Sequence, residues 1–500
     1  MSRIPESCLD AIFVVVLACV LLPCQSGRAG QPQAKSSGEA TAETPNILLI
    51  LADDMGYGDL GCMGSKTLKT PHLDALADRG TLCTQAYVTS PVCSPSRAGL
   101  LTGRDPRRFG YEGNLNQGAA NYPTRPELLG LPPGEHTLGD HLQAAGYSTA
   151  LIGKWHQGIG PGFHPQERGF QYFCGMLGGS HNYFPDPQKN KLERNGEPLN
   201  EFSSPYLTDF FTDEAVQWIR SAKQAEKPWF LYLAYNAPHG PLQATEEDLA
   251  QFSDIQDRKR RTYAAMMYAM DRGVGRITNL LKQTGDLNNT LIVFLSDNGG
   301  ATNNGSWNGP LSGVKGCLRE GGIRIPTIVS WPNGSVPSGE SYDGIVSSLD
   351  LLPTFLSASE SSPLPLAKAR SHEDRRNRQR LVKEFGAYEG RDLLPYLQGK
   401  SQQKDRKLFW RLQGQAAVLQ GDHKLIRLSH RPAQMFSPHE DLGEQMDLAS
   451  KESSTYFELF RELGNWEASL PTAPLWDSSP FWRKQSAKHY DEWGVKPELQ

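Results

Sequence analysis

The chain has 500 residues, room for a large hydrophobic core and two domains. With 51 Lys and Arg against 55 Asp and Glu, its formal net charge of -4 excludes a general pull toward nucleic acid or an anionic membrane. Eight cysteines at irregular spacings do not make a disulfide scaffold.

In chain order, AIFVVVLACVLLP at 11–23 comes first. It is shorter than the roughly 20 apolar residues that a membrane-spanning helix needs. Small and polar residues follow through Gly27-Arg28-Ala29, which suits signal-peptidase cleavage. Residues 1–29 are therefore read as a signal peptide, leaving a mature protein that is periplasmic or secreted and has no stable membrane span. Arg3 is the only basic residue ahead of the run, and Glu6 and Asp10 oppose it, so retention as an anchor is the alternative. Residues 30–44, GQPQAKSSGEATAET, read as a polar tether. Cys8, Cys19 and Cys24 lie in the export segment, and Cys62, Cys83, Cys93, Cys174 and Cys317 remain. Five is odd, so at least one thiol is left for another use.

Short apolar runs then alternate with longer helical patterns: NILLILA (46–52), STALIG (148–153), WFLYLAY (229–235), LIVFLS (291–296) and PTIVSW (326–331). Unbroken runs of this kind predict strands buried on both faces, in a largely parallel sheet covered by helices. A catalytic domain is expected over 45–384. Its charge-dense stretch at 359–380 reads as a solvated excursion, and the basic run at 364–383 as an insertion of open role. LFWRLQ and AVLQGDHKLIRL predict an antiparallel element in a smaller C-terminal α+β subdomain over 385–500.

Two strands end in acidic pairs, Asp53-Asp54 and Asp297-Asn298. Ligands of open α/β sheets sit beyond the carboxyl ends of the strands, so both pairs are expected to face one crevice. Three carboxylates and an amide oxygen make a hard-oxygen cage suited to Ca²⁺ or Mg²⁺, self-repelling without a cation. Either pair alone is as well explained as a turn or a helix cap. STALIG runs into Lys154-Trp155-His156, where extended backbone places Lys154 and His156 on one side, and WFLYLAY runs toward His239. Lys315 and Arg324, in GVKGCLREGGIRIP, add positive charge.

One cysteine stands in PVCSPSRAGLLTGR, 91–104. Ser94 suits an N-cap and Pro95 the first helical position, which predicts a short helix stopping near Gly103 with Cys93 just outside its positive end. Arg97 then reaches back over residue 93. The prolines and arginines argue against a buried thiol, and the oxygen cage against a thiolate ligand.

Cys93-Ser94-Pro95-Ser96-Arg97 followed by AGLLTGR resembles the sulfatase signature, in which the cysteine is oxidised to Cα-formylglycine. LADDMGYGDLG (51–61), GKWH (153–156), APH (237–239), SDNGG (296–300) and Lys315 resemble the family's other motifs, in order, from about residue 45 to 360. The resemblance implies an alkaline-phosphatase-like fold, a formylglycine-generating maturation enzyme as partner, and Ca²⁺ bound by Asp53, Asp54, Asp297, Asn298 and modified residue 93. It also implies roles: a geminal hydroxyl of the hydrated aldehyde attacks sulfur, with Asp297 a candidate proton acceptor. Arg97, Lys154 and Lys315 clamp the anion, His239 protonates the leaving oxygen, and His156 deprotonates the second hydroxyl to expel sulfate. RRFGYEGN (107–114) and GMLGGSHNYF (175–184) resemble segments of N-acetylgalactosamine-6-sulfatase-like and polysaccharide sulfatases. They suggest a sulfated galactose or N-acetylgalactosamine unit as substrate, with Arg104, His181 and Asn182 as pocket candidates. A formylglycine-dependent phosphodiesterase or phosphonate hydrolase is the nearest alternative, and a non-catalytic glycan-binding protein a more distant one.

Overall fold

The computed structural model describes residues 44–115, 129–186, 190–365, 388–429, 431–471, 474 and 490. The expected signal peptide and nearly all of the tether and of the basic run at 364–383 lie outside the described residues.

Continuous apolar runs become the middle of an eleven-stranded sheet. Its strands are β1 (Asn46–Ala52), β2 (Thr81–Tyr87), β3 (Ser148–Lys154), β4 (Tyr172–Met176), β5 (Leu192–Arg194), β6 (Glu197–Pro198), β7 (Trp229–Ala234), β8 (Thr290–Ser296), β9 (Arg324–Ser330), β10 (Glu340–Tyr342) and β11 (Val346–Ser347). The order is β10-β2-β9-β8-β1-β7-β3-β4-β5-β6, with β11 also on β2. β1 pairs in parallel with β7 and β8, and β3 with β7 and β4. The run at 326–331 lies in β9, which is antiparallel to both β8 and β2. The middle is thus parallel and the flanks mixed, as expected for a largely parallel sheet.

The central strands are buried on both faces, and alternate residues feed two cores. Ile47, Leu49 and Leu51 join Phe230, Tyr232 and Val293 on one face, with Leu100 and Leu101 of the helix Cys93–Thr102. Leu48 and Ile50 join Leu231, Leu233 and Ile292 on the other, under the helices Leu207–Gln224 and Arg258–Gln283.

The C-terminal sheet β12 (Lys407–Leu412), β13 (Gln415–Gln420), β14 (His423–Leu428) and β15 (Gln434–Phe436) is antiparallel throughout. One of its faces packs under the helix Ser453–Ala468. Trp410 and Ile426 belong instead to the first core of the large sheet. This packing braces the functional loops. Trp410 Nε1 donates to Val88 O at 2.7 Å, just ahead of Cys93, and Gln415 Nε2 to Gly316 O at 2.7 Å, just after Lys315.

The helix of the cysteine stretch begins two residues earlier than expected. It spans Cys93–Thr102 with Val92 as its cap residue, and Ser94 Oγ bonds Tyr111 Oη and the His156 carbonyl instead of the helix end. Its stop is at Gly103, where φ is 62° and a Cβ would come within 2.8 Å of Leu352, so glycine is required.

Candidate active site

Four adjacent parallel strands, β8, β1, β7 and β3, end at one edge, and the polar residues that follow them meet there. Asp297 N donates to Ala52 O and Asp53 N to Ala237 O, each at 3.0 Å, so the chain ends stay in register past the sheet. Asp54 and His156 both leave their strands in the left-handed region, at φ 66° and 57°. Such backbone is costly for non-glycine residues and persists where surrounding contacts hold it. For Asp54 these are Asp54 N to Asp297 Oδ1 at 3.2 Å and Asn304 Nδ2 to Asp54 O at 3.2 Å.

Cys93 Sγ lies 3.5 Å from Asp53 Oδ1, 3.8 Å from Asp54 Oδ1 and 3.0 Å from Lys315 Nζ. Lys154 Nζ holds Asp53 Oδ2 at 2.6 Å, and Lys315 spans both oxygens of Asp54 at 2.6 and 2.7 Å. Arg97 Nε donates to Asp297 Oδ2 at 2.9 Å and Nη1 to Lys154 O at 3.1 Å. Cys93 is only 1% exposed, which corrects the expectation of an accessible thiol. The polar helix turn is buried because carboxylates and cations, rather than water, satisfy it. Those three cationic side chains offset the mutual repulsion of the carboxylates, which Asp297 still exerts on Asp53 and Asp54.

The acidic groups ionise differently. Burial pushes the Asp53 carboxyl above the usual range against the pull of Lys154. Burial acts the same way on Asp54, but Lys315 and His239 outweigh it and hold that carboxyl low; Arg97, Lys154 and Lys315 do so for Asp297. Burial raises the Cys93 thiol despite both lysines, so an unmodified Cys93 stays protonated and is a poor nucleophile.

A hard cation fits this edge. Ligand atoms of Asp53, Asp54, Cys93 and His239 all lie within 4.8 Å of one another. Asn298 Nδ2 donates to Asp54 Oδ1 and Gly299 O, both at 2.8 Å, and both partners are acceptors, which fixes the amide orientation. Among the described residues, Asn298 Oδ1 is then a buried acceptor without a donor, as an oxygen that faces a cation would be. Asp297 bonds Asp54 N and Arg97 and stands beside the 4.8 Å group rather than within it.

The two histidines differ. His156 Nε2 is 2.8 Å from Leu115 O, an acceptor, so it carries the ring proton, and Nδ1 is a buried acceptor with no partner. Burial and Lys154 push its pKa well below 6.5, so the ring is neutral. His239 Nδ1 lies 2.6 Å from Gly240 O and Nε2 3.6 Å from Asp54 Oδ2, with a side chain 25% exposed, the most open group of the cluster.

The remaining candidates do not touch the cluster. Arg104 pairs with Glu135 at 2.6 Å, and Arg324 lies over the Tyr57 ring near Glu320. His181 and Asn182 lie between two contacts of their loop with the site. Gly179 approaches the His156 ring so closely that a Cβ would fall 2.7 Å from it, and Tyr183 Oη donates to Asn236 O and to His239 O at 2.8 Å. His181 itself bonds Asn182 O and Lys191 N. Sequence reading missed Asn304 and Asp59. The Asp59 carboxylate gathers Arg260, Tyr263 Oη and the Trp307 and Gly56 amides, pinning the loop after Asp54.

A cysteine set among carboxylates, cations and two histidines at the strand ends of an alkaline-phosphatase-like sheet is the layout of an ester hydrolase. The Sulfatase family profile matches residues 45–361, and the chain belongs to that family of sulfuric ester hydrolases. N-acetylgalactosamine-6-sulfatase of Canis lupus familiaris is 36% identical over 415 residues, covering 79% of this chain and 72% of its own. The crystal structure of Ps i-CgsB in complex with k-i-k-neocarrahexaose superposes with a TM-score of 0.78 at 34% identity, covering 91% of this chain and 98% of that one. A sulfatase from Pseudoalteromonas sp. follows at TM-score 0.69 and 25% identity, covering 85% and 90%.

Proposed function

We propose that this enzyme, matured at Cys93 to formylglycine and charged with Ca²⁺, removes sulfate from galactose or N-acetylgalactosamine units of a sulfated polysaccharide outside the cytoplasm. The observation that carries this reading is Cys93 Sγ packed against Asp53, Asp54 and Lys315 at one strand edge. The curated relative is named for N-acetylgalactosamine 6-sulfate and the structural relative holds a neocarrahexaose, which supports a saccharide substrate.

Asp53, Asp54, Asn298 and the Cys93 position, with Asp297 beside them, would hold the cation, which neutralises sulfuryl oxygens and orients the attacking oxygen. As a hydrated aldehyde, residue 93 supplies one hydroxyl to attack sulfur and a second whose deprotonation releases sulfate. Lys154 and Lys315 face the sulfuryl oxygens, while Arg97, fully buried on Asp297 and the Lys154 carbonyl, positions the carboxylate beside them. His156 offers the unpaired Nδ1 that a departing hydroxyl proton requires. His239, the most exposed member, is the group that gives the leaving alkoxide a proton. His181 and Asn182, on the loop between the Gly179 and Tyr183 contacts, would contact the sugar.

Mass spectrometry of the residue-93 peptide, with sulfate-release assays on 6-sulfated galactose, 6-sulfated N-acetylgalactosamine and their phosphate analogues, tests the reading. An aldehyde at residue 93 and sulfate-selective turnover are expected. An intact thiol in fully active enzyme overturns the chemistry, and preferred phosphate-ester hydrolysis overturns the substrate.

A further inference from the structure

Most large apolar side chains are buried, yet Trp307 is 49% exposed on a loop tied to the strand end at Asp54. Asn304 holds Asp54 O, and Asn304 Oδ1 accepts the Ser306 amide at 3.0 Å. Trp307 is the next residue. Its own backbone is clamped at both polar atoms: Trp307 N donates to Asp59 Oδ2 at 2.9 Å, and Trp307 O accepts from Gly58 N at 3.1 Å.

Two glycines bed the indole. A Cβ on Gly58 would lie 2.5 Å from Cε3 of the ring, and one on Gly309 2.4 Å from Cε2, so no other residue fits beneath the ring at either place. The six-membered ring and the Nε1 side both rest on backbone while about half of the side chain faces solvent. Core packing does not explain a large aromatic that is rigidly seated and open. A flat apolar surface edged by an N–H donor suits the C–H face and hydroxyls of a pyranose.

Charge completes the picture. Gly305 sits on the first turn of the helix Arg258–Gln283, where its Cβ would be 3.0 Å from Lys259 C and Arg260 N. Arg260 is consumed by Asp59 and Gly305 O, but Arg258 and Lys259 are exposed and have no ion-pair partner among the described residues. Asp257, the adjacent acidic residue, caps the helix through the Arg260 amide at 2.7 Å.

We propose that Trp307, with Arg258 and Lys259, is a binding subsite for a second, anionic sugar of the substrate chain, beyond the residue whose sulfate is removed. The subsite rests on the saccharide reading above. It makes the enzyme prefer a sulfated oligosaccharide over a single sulfated unit, with the indole stacking on the ring and the two cations facing its sulfate or carboxylate.

The test compares wild type, Trp307→Ala, Trp307→Phe and the double variant Arg258→Ser/Lys259→Ser on two probes, a sulfated galactan hexasaccharide and 4-nitrophenyl sulfate. Trp307→Ala is expected to lose about tenfold in kcat/KM on the hexasaccharide, about 1.4 kcal/mol, with Trp307→Phe losing less and neither changing on 4-nitrophenyl sulfate. The double variant, which leaves the indole and its bed intact, is expected to lose a similar factor at low salt and little at high salt. Equal loss on both probes, or none on the hexasaccharide, overturns the subsite while the saccharide reading stands. Hexasaccharide left untouched by the wild-type enzyme and by every sulfated galactan or glycosaminoglycan substituted for it overturns both.

Discussion

Lys315 Nζ spans the two carboxylate oxygens of Asp54 at 2.6 and 2.7 Å while standing 3.0 Å from Cys93 Sγ. One ammonium thus serves a carboxylate and the nucleophile position together. Its own pKa is raised, because the carboxylates around it outweigh burial, so it stays charged at any working pH. Lys315→Ala is expected to lower kcat by about 10²- to 10³-fold, the range for removing one preorganised charge donor. Lys315→Arg should restore little, since a planar fork does not reproduce a compact ammonium at two oxygens and a third group. Kinetics on 4-nitrophenyl sulfate check this, and a kcat within threefold of wild type in Lys315→Ala would remove the residue from the chemistry.

Asn298 Oδ1 gives the cation argument a readout independent of turnover. If this orphan acceptor faces a bound ion, adding Ca²⁺ to chelator-treated protein raises the unfolding temperature, because the ion binds the folded chain alone. Asn298→Ala should lose most of that increment, and Asp54→Ala nearly all of it. Thermal unfolding in Ca²⁺ and in chelator measures this. Identical increments in Asn298→Ala and wild type would place the ion elsewhere.

His141 shapes acid stability. It is 6% exposed, Nδ1 accepts the Leu364 amide at 3.0 Å, and burial first, then the His136 ring, pushes its pKa down to about 4. Below the ordinary value of 6.5 the unfolded chain takes up a proton that the folded chain refuses. The stabilisation is therefore complete above pH 6.5 and lost progressively as pH falls toward 4, up to about 3 kcal/mol. Urea unfolding at pH 7.5 and 5.0 should show His141→Gln losing part of the wild-type difference. An unchanged difference would mean that His141 does not titrate in this window.

Lys424 is a structural counterpart of Lys154 and Lys315. Fully buried, its Nζ meets Glu320 Oε1 at 2.7 Å and Glu444 Oε1 at 2.9 Å, joining β14 to the loop that carries Lys315. Lys424→Met leaves two buried carboxylates short of a cation and is expected to cost about 3–5 kcal/mol. A loss under 1 kcal/mol in urea unfolding would show that Arg319 and Arg324 suffice.

The strands that build the site were legible because double-sided burial writes unbroken apolar runs, and the ligand rule for open sheets turned their last residues into candidates. Asp53, Asp54, Lys154 and Lys315 do meet at Cys93. The supports were not legible, since they are contacts between distant segments: Asn304 reaches Asp54 across 250 residues and Trp410 reaches Val88 across 322. The burial of Cys93 was hidden for a related reason. Its polar neighbours read as a solvated helix end until Asp53 and Asp54 from one segment and Lys315 from another arrive to replace water. The short, polar flanking strands β5, β6, β10 and β11 carry too little periodicity to be seen alone.

Cys93→Ser tests why a cysteine stands at this position at all. Serine keeps one hydroxyl at a point 3–4 Å from Asp53, Asp54 and Lys315, the separations seen for the Cys93 sulfur. Attack on sulfur can then occur, slowly, with the alcohol leaving on the His239 proton. The product is a sulfated serine, an ester without a second hydroxyl on the same carbon. His156 Nδ1 has no second hydroxyl proton to remove, so the elimination that expels sulfate cannot start. The variant should therefore release at most about one alcohol per active site and retain covalent sulfate on residue 93. Burst amplitude and the mass of the residue-93 peptide measure the two outcomes together. Sustained turnover with free sulfate would mean that water attacks the serine ester directly, and a geminal pair of hydroxyls would no longer account for the cysteine.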